Sequence, residues 1–221
     1  MRFDRPLLLT LAATAATTAL FALVPQLDIA AAAAFYGPNG WVGRTPAGEA
    51  ARAAMYVAPF AVLAIALGIW LAGRLRVMRK RVRGWAAAWL IATMVLGPGV
   101  VVNMIFKDHS PRPRPAQTTL FGGKSEFRPV GRFDGAGATN CSFVSGEASA
   151  AAWTLGPALL VPPPWRAAAV AASMVFAAAT GLLRMAFGGH FLSDALLGIL
   201  VTVLIVLASA PLFLRRRPPS L

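Results

Sequence analysis

The chain has 221 residues, 57% of them hydrophobic, with a formal net charge of +13 and a mean hydropathy of +0.65. That apolar content excludes an ordinary soluble domain and marks an integral membrane protein, and a single cysteine, Cys141, excludes a disulfide framework or a cysteine-based metal centre. The charge would suggest nucleic acid in a soluble chain, but most Lys and Arg stand beside apolar runs, where they set topology and meet anionic headgroups, so membrane lipid and not nucleic acid is the expected partner.

Six apolar runs predict transmembrane helices near 6–25, 53–73, 85–106, 143–161, 167–187 and 191–214, close to the roughly 20 residues that a hydrocarbon core requires. The expected fold is all-α, one transmembrane domain over residues 1–221. Arg2 and Arg5 precede the first run, which is longer than a signal-peptide core and is therefore expected to remain as a helix. Phe35, Tyr36 and Trp41 then suggest an interfacial aromatic belt. The connection after the second helix carries Arg74, Arg76, Arg79, Lys80, Arg81 and Arg83 without an acid, which places it in the cytoplasm. Arg215, Arg216 and Arg217 do the same for the C-terminus, and the N-terminus follows by parity. Gly97-Pro98-Gly99 predicts a kink or a close helix contact in the third helix, and Pro162-Pro163-Pro164 a tight turn after the fourth.

The far-side loop 107–142 is basic as well, and those charges suit an anionic substrate. Phe121, Phe127 and Phe133 recur every six residues, a spacing of neither helix nor strand, which predicts a covering loop with Lys124, Arg128 and Arg132 near substrate charge. The loop opens with Lys107, followed after six residues by Arg114 and Pro115; His109 lies between them, a second imidazole or a headgroup-facing loop residue. The fourth helix opens with Val144-Ser145-Gly146-Glu147. Arg184 ends the fifth, and His190 with Asp194 opens the sixth. By helix parity all of these reach the same, non-cytoplasmic face.

These residue types fit phosphoryl transfer, where catalysis is mostly positioning and electrostatics. Lys107 offers an ammonium, and Arg114 and Arg184 offer forks that grip two oxygens each. The amides at Ser145 and Gly146 open a helix whose positive end faces an anion. His190 is the candidate nucleophile, and Asp194, one helical turn on, is placed to fix its tautomer.

The three spaced motifs resemble those of the type 2 phosphatidic acid phosphatase (PAP2) superfamily: Lys, six residues, Arg-Pro; then Pro-Ser-Gly-His; then Ser-Arg, five residues, His, three residues, Asp. The resemblance covers roughly residues 100–200. It implies a six-helix bundle with the active site at the non-cytoplasmic helix ends, a phosphohistidine intermediate on His190, phosphate binding by Lys107, Arg114, Ser145, Gly146 and Arg184, and no metal or other cofactor. Three positions depart from the pattern: Val144 for Pro, Leu183 for Ser, and Glu147 for the second-motif His, which in the family serves proton transfer. Three readings of Glu147 stand: a general acid or base, a position made dispensable by an acidic leaving group, or the mark of an altered, non-catalytic phosphate-binding protein.

The expected function is that of a metal-independent lipid phosphatase. The Ala/Arg/Gly-rich composition points to a bacterial inner membrane, with the active site facing the periplasm. A loose likeness of the Lys-Asp-His and Cys-Ser-Phe-Val-Ser-Gly stretches to bacterial phosphatases ranks lipid A 1-phosphate or phosphatidylglycerophosphate first and undecaprenyl diphosphate next. A lipid phosphotransferase would use the same residues.

Overall fold

The computed structural model describes residues 4–75, 84–132 and 141–214. Most of the basic connection after the second helix, Phe133 and the arginine tail lie outside them. In chain order the elements are α1 (Asp4–Leu23), α2 (Gln26–Ala33), a short hairpin of β1 (Tyr36–Gly37) and β2 (Gly40–Trp41), α3 (Pro46–Arg74) and α4 (Gly84–Met94). A π-helical stretch (Val95–Phe106) carries α4 onward into the single turn α5 (Lys107–His109). Then come α6 (Gly146–Trp153), α7 (Leu155–Leu160), α8 (Pro163–Ala186) and α9 (Leu192–Leu214).

Among the described residues five helices are long and apolar enough to cross a membrane: Asp4–Leu23, Pro46–Arg74, Gly84–Phe106, Pro163–Ala186 and Leu192–Phe213. The expected fourth helix, 143–161, is instead the pair α6 and α7. Pro157 has no N–H to give the Trp153 carbonyl, so the ladder breaks near Thr154, whose hydroxyl turns back to the Ala151 carbonyl at 2.6 Å. Together Gly146–Leu160 extend about 22 Å at helical rise, short of the roughly 30 Å hydrocarbon thickness.

That short element is central because its side chains are small. Ala148, Ala151 and Ala152 are fully buried, so the flanking helices α8 and α9 pack directly on the α6 backbone. Between membrane helices the driving force is close packing rather than water exclusion, and each interhelical hydrogen bond contributes only about 0.6 kcal/mol. The buried indoles between these helices are nonetheless paired: Trp153 Nε1 donates to Thr93 Oγ1 at 3.0 Å and to the Leu90 carbonyl at 3.1 Å, and Trp89 Nε1 to Ser209 Oγ at 2.8 Å.

Pro98 widens the third span rather than simply bending it. Beyond it the turns are π-helical, the Lys107 amide reaching the Val102 carbonyl five residues back, while Asn103 Nδ2 donates to the Pro98 carbonyl at 2.6 Å. The expected tight turn at 162–164 is a helix start: Pro162 caps α8, and Pro163 and Pro164 occupy the first-turn positions, where a missing N–H costs nothing. Trp41 departs from the interfacial expectation. It is buried, in edge contact with Phe121 at 5.2 Å and tilted on Tyr36 at 5.1 Å, so the hairpin closes over the end of the bundle.

Candidate active site

Ser145 is the N-cap of α6. Its Oγ accepts from the Ala148 amide, and its own N–H donates to the Asp194 carbonyl at 2.9 Å. The Ser145 amide expected to face phosphate is therefore already committed to α9, because capping and helix docking use the same residue; its hydroxyl proton remains a donor. Gly146 follows at the first helical position. A methyl group there would lie 2.7 Å from Asn103 Oδ1 and 3.1 Å from Lys107 Nζ, so the bare Cα is what brings the Lys107 ammonium against the helix N-terminus. The widened turns before Lys107 deliver it there.

Glu147 lies between two guanidiniums. Arg52 of α3 donates from Nη2 to Oε1 at 3.0 Å and from Nε to the two carboxylate oxygens at 3.3 and 3.4 Å. Arg184 Nε lies 3.3 Å from Oε1 as an ion pair whose angle is too poor for a hydrogen bond. Arg184 is 4% exposed, its Nε has no hydrogen-bond partner among the described residues, and its Cζ lies 6.0 Å from the centre of the Phe187 ring. A buried fork held by one ion pair is chemically suited to an incoming anion.

His190 stands between α8 and α9, 2% exposed. Its Nδ1 lies 2.7 Å from the Ser142 carbonyl. A carbonyl only accepts, so Nδ1 carries the proton and Nε2 presents a lone pair. Burial first, and then the fields of Arg184, Lys107 and Arg114, push the imidazole pKa well below its ordinary value and keep the ring neutral. Asp194 is not the direct partner of His190 that the spacing suggested. Its Oδ2 is 4.0 Å from Nδ1 and instead accepts from Ser142 Oγ at 2.6 Å and from the Phe191 amide at 2.9 Å. Its other oxygen is paired with Arg112.

Lys107, Ser145, Gly146, Glu147, Arg184, His190 and Asp194 thus come together at one end of the helices. Arg114 joins Arg184 in lining a polar cleft of about 400 Å³ with Arg44, Arg52, Glu49 and Gln117. A second, mainly apolar cleft of about 550 Å³ runs between Tyr56, Phe60, Val95 and Met104 and ends on Lys107 and Glu147. An anionic group with an apolar chain attached fits where the two approach one another. His109 faces away, with Nδ1 on the Ile105 carbonyl of its own helix at 2.8 Å. The covering loop serves the interior more than the cleft: the Arg128 carbonyl takes a bond from Arg112 Nε at 2.8 Å, and Phe127 packs edge-on against Phe191 at 5.1 Å.

Sequence reasoning missed Arg52, Asp28 and Ser142, and it counted Arg112 among the loop charges that suit an anionic substrate, whereas Arg112 is buried against Asp28 and Asp194. Asp28 carried a signal, since an acid inside the apolar run Leu27-Asp28-Ile29-Ala30 implies a buried partner. Arg52 and Ser142 carried none, because their roles arise from residues about 95 and 48 positions away.

A family model described as the PAP2 superfamily matches residues 86–218. Among curated proteins, the chain is 41% identical over 118 residues to a lipid A 4'-phosphatase of Rhizobium leguminosarum, covering 53% of this chain and 51% of that protein. It is 34% identical over 185 residues to a lipid A 4'-phosphatase of Francisella tularensis subsp. novicida, covering 79% of this chain and 80% of that one. The chain spans about half the length of the Rhizobium relatives it matches. No solved structure matches it.

Proposed function

The chain belongs to the PAP2 superfamily, and from that premise we propose that it is a membrane lipid phosphatase that removes a phosphate monoester from a lipid A-type substrate through a phosphohistidine intermediate. The single observation that carries the reading is the neutral His190, its Nδ1–H on the Ser142 carbonyl and its Nε2 lone pair free to attack, within the fields of Arg184, Lys107 and Arg114.

In the first step Nε2 attacks phosphorus, the Nε2–P bond forms, the P–O bond to the lipid breaks, and the departing oxygen takes up a proton. In the second, water attacks phosphorus and gives up a proton that replaces the one consumed in the first step, the Nε2–P bond breaks, and inorganic phosphate leaves. Lys107, Arg114 and Arg184 hold the phosphoryl oxygens and oppose the charge that spreads over them in the transition state. Gly146 and the Ser145 hydroxyl close the cradle from the α6 end. Glu147 serves as a clamp that holds Arg52 and Arg184 together, and Asp194 holds the segment that carries the nucleophile. The apolar cleft receives an acyl chain and the polar cleft the headgroup.

The names of the relatives favour lipid A phosphates over phosphatidylglycerophosphate and undecaprenyl diphosphate, and favour the 4'-phosphate over the 1-phosphate ranked first from sequence. With the basic connection and both termini cytoplasmic, and the α6–α7 pair carrying the chain back as the sixth pass, the cleft faces the periplasm. The test is phosphate release in detergent from a panel of lipid phosphates, with and without EDTA, by wild type and His190→Ala. Turnover that resists EDTA and disappears with His190 is expected. Activity that survives His190→Ala, or that EDTA abolishes, overturns the mechanism.

A further inference from the structure

Asp28 of α2 and Arg112 lie in neither cleft, yet they are among the most deeply buried groups of the molecule. Arg112 Nη2 donates to Asp28 Oδ2 at 2.6 Å, Nη1 to Ser193 Oγ at 2.7 Å and to Asp194 Oδ1, and Nε to the Arg128 carbonyl. Asp28 also accepts from the Ser193 amide at 2.8 Å and from Ser193 Oγ at 2.6 Å. The Arg112 guanidinium lies over the Phe191 ring at 4.6 Å. One arginine and two carboxylates, away from water, are tolerable only because every polar atom has a partner. Such a cluster is rarely kept for stability alone, since apolar residues of the same volume do as well.

Its position supplies another reason. With Oδ1 taken by Arg112, Asp194 has only Oδ2 to spend, and it spends it on Ser142 and the Phe191 amide. Phe191 follows His190 in the chain, and Ser142 owns the carbonyl that holds His190 Nδ1. Both supports of the imidazole therefore pass through one carboxylate, whose direction is set by Arg112 and, behind it, by Asp28. We propose that Arg112 and Asp28 are positioning residues that fix the tautomer and aim of His190 through Asp194 and Ser142, without touching the phosphate. The inference rests on the histidine-nucleophile reading above.

The test uses the full chain in detergent, with Ser142→Ala and Asp28→Asn as mild variants and Arg112→Lys as the one that keeps charge but loses the fork. Two quantities are read: the rate at which radiolabelled lipid A transfers acid-labile phosphate to the enzyme, and competitive inhibition by inorganic phosphate, a tetrahedral anion that fills the cradle without a bond to His190. A merely structural defect lowers both together. Phosphoryl transfer is expected to slow by about tenfold to hundredfold in all three variants, as misaimed reacting groups do. Inhibition by inorganic phosphate is expected to stay within about threefold of wild type, a change below one kcal/mol on the scale where tenfold is 1.4. Wild-type transfer rates in Ser142→Ala and Asp28→Asn, or equal losses of transfer and phosphate inhibition, overturn the proposal while leaving the nucleophile in place. A wild-type enzyme that releases phosphate but never carries an acid-labile label overturns the nucleophile reading and this proposal with it.

Discussion

Glu147 stands where the family's second motif has a histidine, and its carboxylate lies 3.0 Å from Arg52 Nη2 and 3.3 Å from Arg184 Nε. An imidazole cannot hold two guanidiniums in that way, because it offers one acceptor nitrogen and no negative charge. Glu147→His is therefore expected to lower kcat/KM by about tenfold to hundredfold, the effect of losing a charge-assisted bond. Unchanged or faster turnover of a monoester would instead make Glu147 a proton carrier in a histidine's place. His190 supports a pH prediction. The neutral ring is the reactive form, and a depressed pKa keeps that form populated at lower pH. Corrected for the substrate's own ionisation near about pH 6, the acid limb of kcat/KM is expected well below the ordinary histidine value of about 6.5; a limb at or above that value would contradict a buried imidazole among cations. At this scale the sequence was legible where identity decides chemistry: Lys107, Arg184 and His190 could be named from spacing. The carbonyl that holds His190 could not, because any residue type at position 142 carries one.

The elements explain why those residues meet. α9 approaches the N-terminus of α6 so closely that a methyl group at Gly198 would lie 2.7 Å from the Ser145 carbonyl oxygen and 3.3 Å from its nitrogen, both backbone atoms that cannot turn aside. Gly198→Ala is expected to cost about 1–3 kcal/mol, as overpacking does, and to lower the thermal midpoint in detergent. It should also reduce turnover, since the Ser145–Asp194 bond ties the start of α6 to the helix that follows the proposed nucleophile. A midpoint equal to wild type would mean that the helices have room to part. The break between α6 and α7 was foreshadowed by Pro157, but a purely hydropathic run cannot distinguish a spanning helix from a shorter buried pair of the same apolar content. α2 was hidden for a related reason. An eight-residue helix that contributes one acid to the interior reads as an alanine-rich loop until its partner is known.

For the molecule as a whole, apolar content and motif spacing determined the class. A chain that is 57% hydrophobic must close its backbone hydrogen bonds in helices, and three spaced motifs near the ends of those helices imply a shared anion site. The sequence by itself therefore determined the helical membrane architecture, the cationic residue types that converge at the site and the histidine set among them. Only the tertiary structure decided how the charges are shared: Glu147 with Arg52 and Arg184, Asp194 with Arg112 and Ser142 in place of His190, and Asp28 with Arg112. The physical reason is that spacing along one helix fixes which side chains can meet, whereas a carboxylate in a buried site goes to whichever donors the other helices bring within about 3 Å. Those donors come from segments about 37 to 95 residues away, a separation over which no local pattern in the sequence extends.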